Sequence, residues 1–162
     1  MKPTIHVTEA GDIESVRKAL ASLSQARVYV GIPEAETSRK GTPVTNAGLM
    51  YIQTNGAHLP NGAVIPPRPV IEPAIEAPDN KERITKELGL AATSELDGDR
   101  QQTLLHLKRA GTMGSNAAKR WFTDPRNHWA PNAPSTIAAK GSDRPLIDQG
   151  ELRRSITHVE EI

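Results

Sequence analysis

The sequence predicts an α+β protein in which long helices and a few short strands occupy separate stretches of the chain. Residues 79–122 are compatible with helix almost throughout, whereas residues 26–32 alternate apolar side chains with other residues, as in a half-buried strand. Four prolines between residues 65 and 75 exclude a central strand there, because a proline nitrogen has no proton for the hydrogen-bond ladder. These three observations define the segments from which the fold is built.

Length and composition predict one domain that covers residues 1–162. Only 36% of the residues are apolar and 3% are aromatic, so the core is modest and aliphatic, which favours stabilisation by partners. The net charge of +1 gives no strong general attraction to nucleic acid or to an acidic membrane. The absence of cysteine excludes disulfides and cysteine nucleophiles. Without a basic, apolar leader or a long apolar run, we expect a soluble protein made in the cytoplasm, with no membrane partner.

The first third of the chain predicts an extended start at residues 4–7, a helix and the alternating strand. Asp12 is placed to cap the helix, whose apolar residues recur at helical spacing. Pro33 ends the strand, and residues 34–44 lack periodicity, which indicates an exposed loop. The apolar positions of this amphipathic helix are Ile13, Val16, Leu20 and Leu23.

A second, shorter helix is predicted after the loop. Thr45 is placed to cap it, and Gly56 offers a left-handed stop at its end. Residues 57–65 then form another loop. The proline-rich stretch, residues 65–75, favours an extended, edge-like path. It is either a stiff connection into the next helix or an arm that contacts another subunit.

One helix over residues 79–122 would extend roughly 65 Å, far beyond the size expected for this domain. We therefore predict a break at residues 97–99, Asp-Gly-Asp, and an antiparallel helix pair. In the second helix, Gly111 and Gly114 share one face with apolar residues. They either permit a tight helix contact, within or between subunits, or interrupt the helix, because each glycine costs a helix about 1 kcal/mol relative to alanine.

The C-terminal segment begins with a long loop, residues 124–145, in which one helical turn is predicted at residues 135–140. Loops of this length are uncommon unless they have a function or become ordered by a partner. Asp148 is placed to cap a short helical turn that runs through Leu152. Residues 155–162 then alternate as a strand.

No set of residues indicates catalysis or a metal site. The five histidines lack the spacing that would place two imidazoles on one metal. His128, near Asn127 and Asp124, is the best single candidate, but a locally hydrogen-bonded loop histidine explains it better. Neither a Gly-x-Ser-x-Gly elbow nor a glycine-rich phosphate loop occurs, so we expect no enzymatic activity and no cofactor.

Three basic pairs stand in an otherwise mixed charge pattern. Interspersed acids, and the lack of an aromatic stacking platform, favour solvated helix faces over a nucleic-acid site. In a ring, however, Lys108, Lys119 and Arg120 could face a channel that conducts DNA. The pairs are Lys108 with Arg109, Lys119 with Arg120, and Arg153 with Arg154.

Two parts of the chain carry spaced motifs. Residues 50–56 read MYIQTNG and residues 66–75 read PPRPVIEPAI; residues 129–156 contain WAPN, then STI and a lysine, then PLIDQGELRRSI. The first part resembles elements of the minor tail and neck proteins of tailed bacteriophages, Tyr-Ala-x-x-x-Glu-Phe-Gly and Pro-Pro-Arg-Pro-Phe-Leu-x-Pro-Ala. The second resembles the pattern of virion-morphogenesis and tail-completion proteins, Trp-x-Pro-Leu-Ser-x-x-Thr and a Lys, followed by Leu-x-x-Thr-Gly-x-Leu-x-x-Ser-Ile. Departures from these patterns occur at Thr54, Asn55, Val70, Asp148 and Gln149.

These motifs also have a physical interpretation. Trp129 lies in a proline-bounded loop, where it is either an anchor that docks into a pocket of its own sheet or of a neighbour, or a cap on its own core. Gly150 permits a tight turn, Leu152 packs inward, and Ser155 and Ile156 lead into a strand. The second motif is therefore predicted to be a loop-to-strand corner.

The resemblance implies a small α+β fold, with a single antiparallel or mixed sheet flanked by helices and with long assembly loops. It implies a structural virion protein, assembled in the host cytoplasm, that forms a homo-oligomeric ring in the neck for head–tail joining or tail completion. Its partners would be further copies of the chain and the head–tail connector, tail terminator or tail-tube proteins, with DNA nearby in the channel. We hypothesise that residues 34–44, 57–65 and 124–145 order against these neighbours. The expected assembly residues are Pro66, Pro67, Arg68, Pro69, Gly111, Gly114, Trp129, Pro131, Leu146, Gly150, Leu152, Arg153, Ser155 and Ile156.

Alternatives to the neck ring stay open from the sequence alone. A minor tail or tail-terminator component would also be a virion protein. A non-phage interaction module would instead form a soluble complex with one host protein. An enzyme would lose its turnover when His128 is changed.

Overall fold

The structure, a computed structural model, describes residues 12–33 and 43–162, and within them the chain forms seven α-helices and two small antiparallel sheets. The predicted α+β class is confirmed, although the described strands form two separate pairs instead of one sheet. The predicted strand at residues 4–7 and most of the loop at 34–44 lie outside the described residues. The elements are α1 Ile13–Gln25, β1 Arg27–Gly31, α2 Asn46–Asn55, β2 Ala57–His58, β3 Val64–Ile65, α3 Ile71–Glu76, α4 Pro78–Leu96, α5 Arg100–Trp121, a 3₁₀ turn Pro125–Asn127, α6 Pro134–Lys140, α7 Glu151–Arg154 and β4 Thr157–Glu161.

Helices α4 and α5 form the predicted antiparallel pair and pack along their length. The break falls at residues 97–99, where the side chain of Asp99 accepts a hydrogen bond from the backbone N–H of Gln102 at 3.0 Å and so caps α5. Small buried residues such as Ala91 and Ala110 allow close packing of the two helices. The pair is the largest element of the fold, and α5 also contacts α3 and both strands of the first sheet.

The first sheet pairs β1 with β4, with Arg27 opposite Glu161 and Gly31 opposite Thr157. Val30 and His158 are register partners on the face that packs against α5. The second sheet pairs β2 with β3. Residues 57–65, which were predicted to be a loop, therefore form a minimal hairpin. Strands of two residues are too short for the alternation that reveals a strand in a sequence.

Caps at α1 and α2 agree with the sequence prediction. Asp12 accepts a hydrogen bond from the backbone N–H of Glu14, and the hydroxyl of Thr45 accepts one from that of Gly48. Gly56 ends α2 at a φ of 72°, and a Cβ there would lie 2.7 Å from the carbonyl oxygen of Ile65. Only glycine satisfies both the left-handed backbone and this close approach.

Two further predictions about local structure are wrong. The extended path expected for residues 65–75 ends early, because α3 begins at Ile71 and contains Pro73. A proline is tolerated in the first turn, where the backbone N–H groups have no partner within the helix. Asp148 does not cap α7. The helix begins after Gly150, whose φ is 77°, and no side chain caps it.

Gly111 and Gly114 permit a tight contact within the subunit. Helix α5 is unbroken, so the alternative that the two glycines interrupt it is wrong. A Cβ at Gly111 would lie 2.5 Å from Cδ2 of His158, and one at Gly114 would lie 2.8 Å from Cγ2 of Val30. The glycines therefore form a notch in which the β1–β4 sheet rests against α5.

We expect Gly111→Ala to destabilise the protein despite the higher helix propensity of alanine. The added methyl group must displace the His158 ring and its Cβ, 2.5 to 3.1 Å away. Overpacking of this kind costs about 1–3 kcal/mol, against a propensity gain of about 1 kcal/mol. A net loss of about 1 kcal/mol in the free energy of unfolding should be visible in urea denaturation.

Gly89→Ala is the matched control, because Gly89 lies in the interior of α4 and nothing lies within 4 Å of a Cβ placed there. This variant should gain about 0.5–1 kcal/mol from helix propensity alone. Equal stabilisation by the two substitutions would show that the notch at Gly111 is not close-packed.

Candidate functional site

The two motif-bearing parts of the chain meet in space at Arg68. This side chain is only 6% exposed, and its guanidinium donates to two carbonyl oxygens in the second part. Nε and Nη2 donate to the carbonyl oxygen of Ala130 at 3.1 and 3.0 Å, and Nη2 also donates to that of Pro131 at 3.1 Å. Burial lowers the pKa of Arg68 from its usual range, yet a guanidinium stays charged near neutral pH. One buried charge thus joins segments about sixty residues apart.

Trp129 reinforces this junction. Its indole Nε1 donates to the carbonyl oxygen of Pro69 at 3.1 Å, and its ring meets that of Phe122 edge-on, with 5.9 Å between centroids. A left-handed turn at His128, with φ of 46°, precedes it. The indole therefore packs against the core of its own chain, the second of the two sequence interpretations, and a contact with a neighbouring subunit stays a prediction. Arg68 contacts the segment that contains Trp129, and Trp129 contacts the segment that contains Arg68. We call these reciprocal contacts the clasp.

The C-terminal half of the second motif enters the core. Leu152 is 4% exposed and Ile156 is fully buried, and both belong to the main hydrophobic cluster together with Val70 and Trp121. Ser155 bridges two helices, because its hydroxyl accepts from Nδ2 of Asn46 at 2.8 Å and donates to the carbonyl oxygen of Glu151 at 2.9 Å. The predicted loop-to-strand corner is confirmed, with α7 between the loop and β4.

A groove of about 880 Å³ runs beside the clasp and is lined by residues of both motif-bearing parts. Leu146, at its wall, is partly buried and adopts a positive φ of 58°, which is costly for a leucine. Pro66, Arg68, Pro131, Gly150 and Leu152 also line this groove.

The predicted assembly residues thus fall into separate places. Gly111 and Gly114 lie in the notch of α5, away from the clasp, whereas Arg153 lines a different cavity. Residues of the clasp and the core are held inside the subunit, so their first effect is on folding. A direct contact with a neighbouring subunit stays a prediction for each of them.

The long loop at residues 124–145 is fastened to the rest of the chain. Arg126 donates to Asp124 at 2.7 Å and to Asp79 of α4 at 2.9 Å, and these hydrogen bonds lower the pKa of both carboxyl groups. Nδ2 of Asn132 donates to the carbonyl oxygen of Asp143 at 3.1 Å, across α6. These contacts within the subunit help to order the loop. Contacts with a neighbouring subunit are therefore less necessary for its order than we hypothesised from the sequence.

No protein-family model, curated protein or solved structure matches this chain. The resemblance to phage neck and tail-completion proteins therefore depends on the motifs quoted above and on how the fold arranges them.

A serine, a histidine and a carboxylate approach one another in a way that the sequence did not reveal. Nδ1 of His158 lies 3.3 Å from Oγ of Ser115, and its Nε2 lies 3.4 Å from Oε1 of Glu160. Ser115 is buried, and its hydroxyl donates to the carbonyl oxygen of Thr112 at 3.1 Å. A nucleophilic serine must be reachable by substrate, and burial keeps the Ser115 hydroxyl away from solvent. The arrangement holds β4 against α5 and offers no exposed nucleophile.

Metal-binding and membrane-spanning features are not found among the described residues. In residues 12–33 and 43–162, no cluster of three histidine or acidic side chains is close enough to hold a metal ion. His128 lies exposed in its left-handed turn. Every helix in those same ranges is too short or too polar to cross a membrane.

Proposed function

We propose that this chain is a structural virion protein of a tailed bacteriophage that acts in head–tail joining or tail completion as a subunit of a homo-oligomeric ring in the neck. The clasp is the observation that carries the proposal. Arg68 of the first motif and Trp129 of the second contact each other's segments directly. The contact therefore supports treating the two motifs as one unit.

An exposed apolar helix face supports self-association. Helix α1 packs on α4 through Ala19, and Nη1 of Arg100 donates to the hydroxyl of Ser22 at 3.0 Å. Three residues of its apolar stripe are exposed, Ile13 to 85%, Leu20 to 55% and Val16 to 41%, whereas Leu23 is half-buried. An amphipathic helix normally buries such a stripe, and an exposed one marks a contact surface.

The β1–β4 sheet provides a second surface of the same kind. Tyr29 and Val159 are register partners on the face away from α5, and they are 52% and 46% exposed. Among the described strands, β1 pairs only with β4 and β4 only with β1. Each of the two strands therefore has an edge that another strand can join. A closed ring needs two different surfaces on every subunit, and α1 and this sheet supply them.

Sedimentation velocity and native mass spectrometry of the purified chain test self-association. The wild-type protein should form a discrete closed oligomer, and Val16→Ser with Leu20→Ser should weaken assembly at least about tenfold, since even 1.4 kcal/mol of lost contact is tenfold. Folding should be unaffected because both side chains are already exposed.

Lys18→Ser with Ala21→Ser is the matched control, since both residues are exposed on the same helix and lie off the apolar stripe. This pair should leave the oligomer intact. A wild-type chain that stays monomeric at all concentrations, or equal weakening by both pairs, would contradict the proposed interface.

A further inference from the structure

Four cationic side chains from two separate helices surround one cavity of about 630 Å³. Lys119 and Arg120 come from the last turn of α5, and Arg153 and Arg154 from α7. Asn116 and Gly150 also line it, and the described residues of this lining include no carboxylate. The guanidinium of Arg154 folds back toward Gly150, where a Cβ would lie 3.4 Å from Nη1. Lys119 and Arg120, for which the sequence suggested a DNA channel in a ring, thus form one cluster with Arg153 and Arg154.

In the part of the chain that the structure describes, no ion pair neutralises this cluster. The arginines and lysines that pair there with a described carboxylate are Arg17, Lys81, Arg100 and Arg126. Basic residues in a last turn do complement a helix C-terminus. That effect operates on each helix separately, however, and gives no reason for the two basic pairs to converge. Like charges held together around a cavity favour an anionic ligand.

We propose that this cavity binds the phosphate backbone of double-stranded nucleic acid. Three of its four cations are arginines, whose planar guanidinium matches phosphate oxygens bidentately. None of the described lining residues is aromatic, so no described ring offers a stacking surface for an unpaired base, which disfavours single strands. None of them is apolar either, so they offer a peptide no hydrophobic anchor, which disfavours an acidic protein segment. Contacts of this type carry no sequence preference.

This inference goes beyond the proposed assembly role, because it depends on the charge and shape of one subunit and not on ring formation. Four phosphate contacts at most predict weak binding by a single chain. They also predict a strong salt dependence, with a slope as steep as about −3.6 in a plot of log K against log salt concentration, which is about −0.9 for each of four phosphates.

Fluorescence anisotropy with a labelled 24-base-pair duplex of arbitrary sequence tests the proposal. Arg120→Glu with Arg154→Glu should lower the affinity at least tenfold and flatten the salt dependence. The matched control is Arg83→Glu with Lys86→Glu, two exposed positions on α4 outside the cavity. Both pairs move the net charge from +1 to −3, since two cations become anions in each. The control should retain most of the affinity.

Two further measurements, on a neutral double variant and with a competing polyanion, distinguish the possible explanations of a loss of affinity. If the charge reversal impairs folding, Arg120→Gln with Arg154→Gln should still weaken duplex binding while thermal unfolding stays unchanged. Poly-glutamate of matched charge should displace the duplex poorly. Equal losses in the two charge-reversed pairs, or better binding of poly-glutamate than of duplex, would overturn the proposal. Sedimentation of the same samples reports ring formation separately, so failure of one proposal is distinguishable from failure of the other.

Discussion

Trp129→Ala should lower the free energy of unfolding by about 3 kcal/mol, because it empties an aromatic site and removes a hydrogen bond. The indole packs edge-on against Phe122 and donates to the carbonyl oxygen of Pro69 at 3.1 Å. For a domain of this length, such a loss lowers the melting temperature by roughly 6–12 °C. Differential scanning calorimetry or urea denaturation measures it directly.

Trp129→Phe separates the two contributions. Phenylalanine keeps an aromatic ring against Phe122 but cannot donate to Pro69, so about 1 kcal/mol should be lost. Tyr51→Ala is the surface control, because that ring is 72% exposed and its removal should change stability by less than about 0.5 kcal/mol. If Trp129→Ala were as mild as Tyr51→Ala, the clasp would not hold the two motifs together.

Ile156→Ala should cost about 2–5 kcal/mol, the second large effect. Ile156 is fully buried and lies between α7 and β4, where it packs in the cluster that contains Leu152 and Trp121. Truncation leaves a cavity that a close-packed core cannot refill, and Ile156→Val should cost only about 0.5–1.5 kcal/mol.

Val159→Ala provides the comparison within the same strand. Its side chain points away from α5 and is 46% exposed, so the free energy of unfolding of the monomer should fall by less than 1 kcal/mol. Val159 also lies on the proposed contact surface, so this comparison is made at protein concentrations too low for the subunits to assemble. Similar losses at positions 156 and 159 would mean that the motif does not enter the core as described.

The sequence predicted those parts of the fold that depend on local chemistry. Asp12 and Thr45 cap their helices as expected, and the break at residues 97–99 follows from helix length and turn residues. Proline at residue 73 misled the prediction, since a proline in the first turn of a helix and a proline in an extended arm look alike in sequence.

The candidate site was harder to predict because its contacts join distant residues. Nothing in the local pattern around Arg68 specifies that its guanidinium reaches Ala130, and the same holds for His158 beside Ser115. The apolar stripe of α1 was visible in the sequence, but periodicity indicates only that a helix has two faces. Which face meets the rest of the subunit depends on tertiary packing, and here Ala19 faces inward while Leu20 faces solvent.

The proposed role in the virion is tested most directly by deleting the gene for this chain and imaging the resulting particles by electron microscopy. We expect filled heads and tails that remain separate or incomplete, and complementation with the wild-type chain should restore joined, infectious particles. A variant that folds but does not self-associate, such as Val16→Ser with Leu20→Ser, should fail to complement. Normal particles from the deletion would contradict a role in head–tail joining or tail completion.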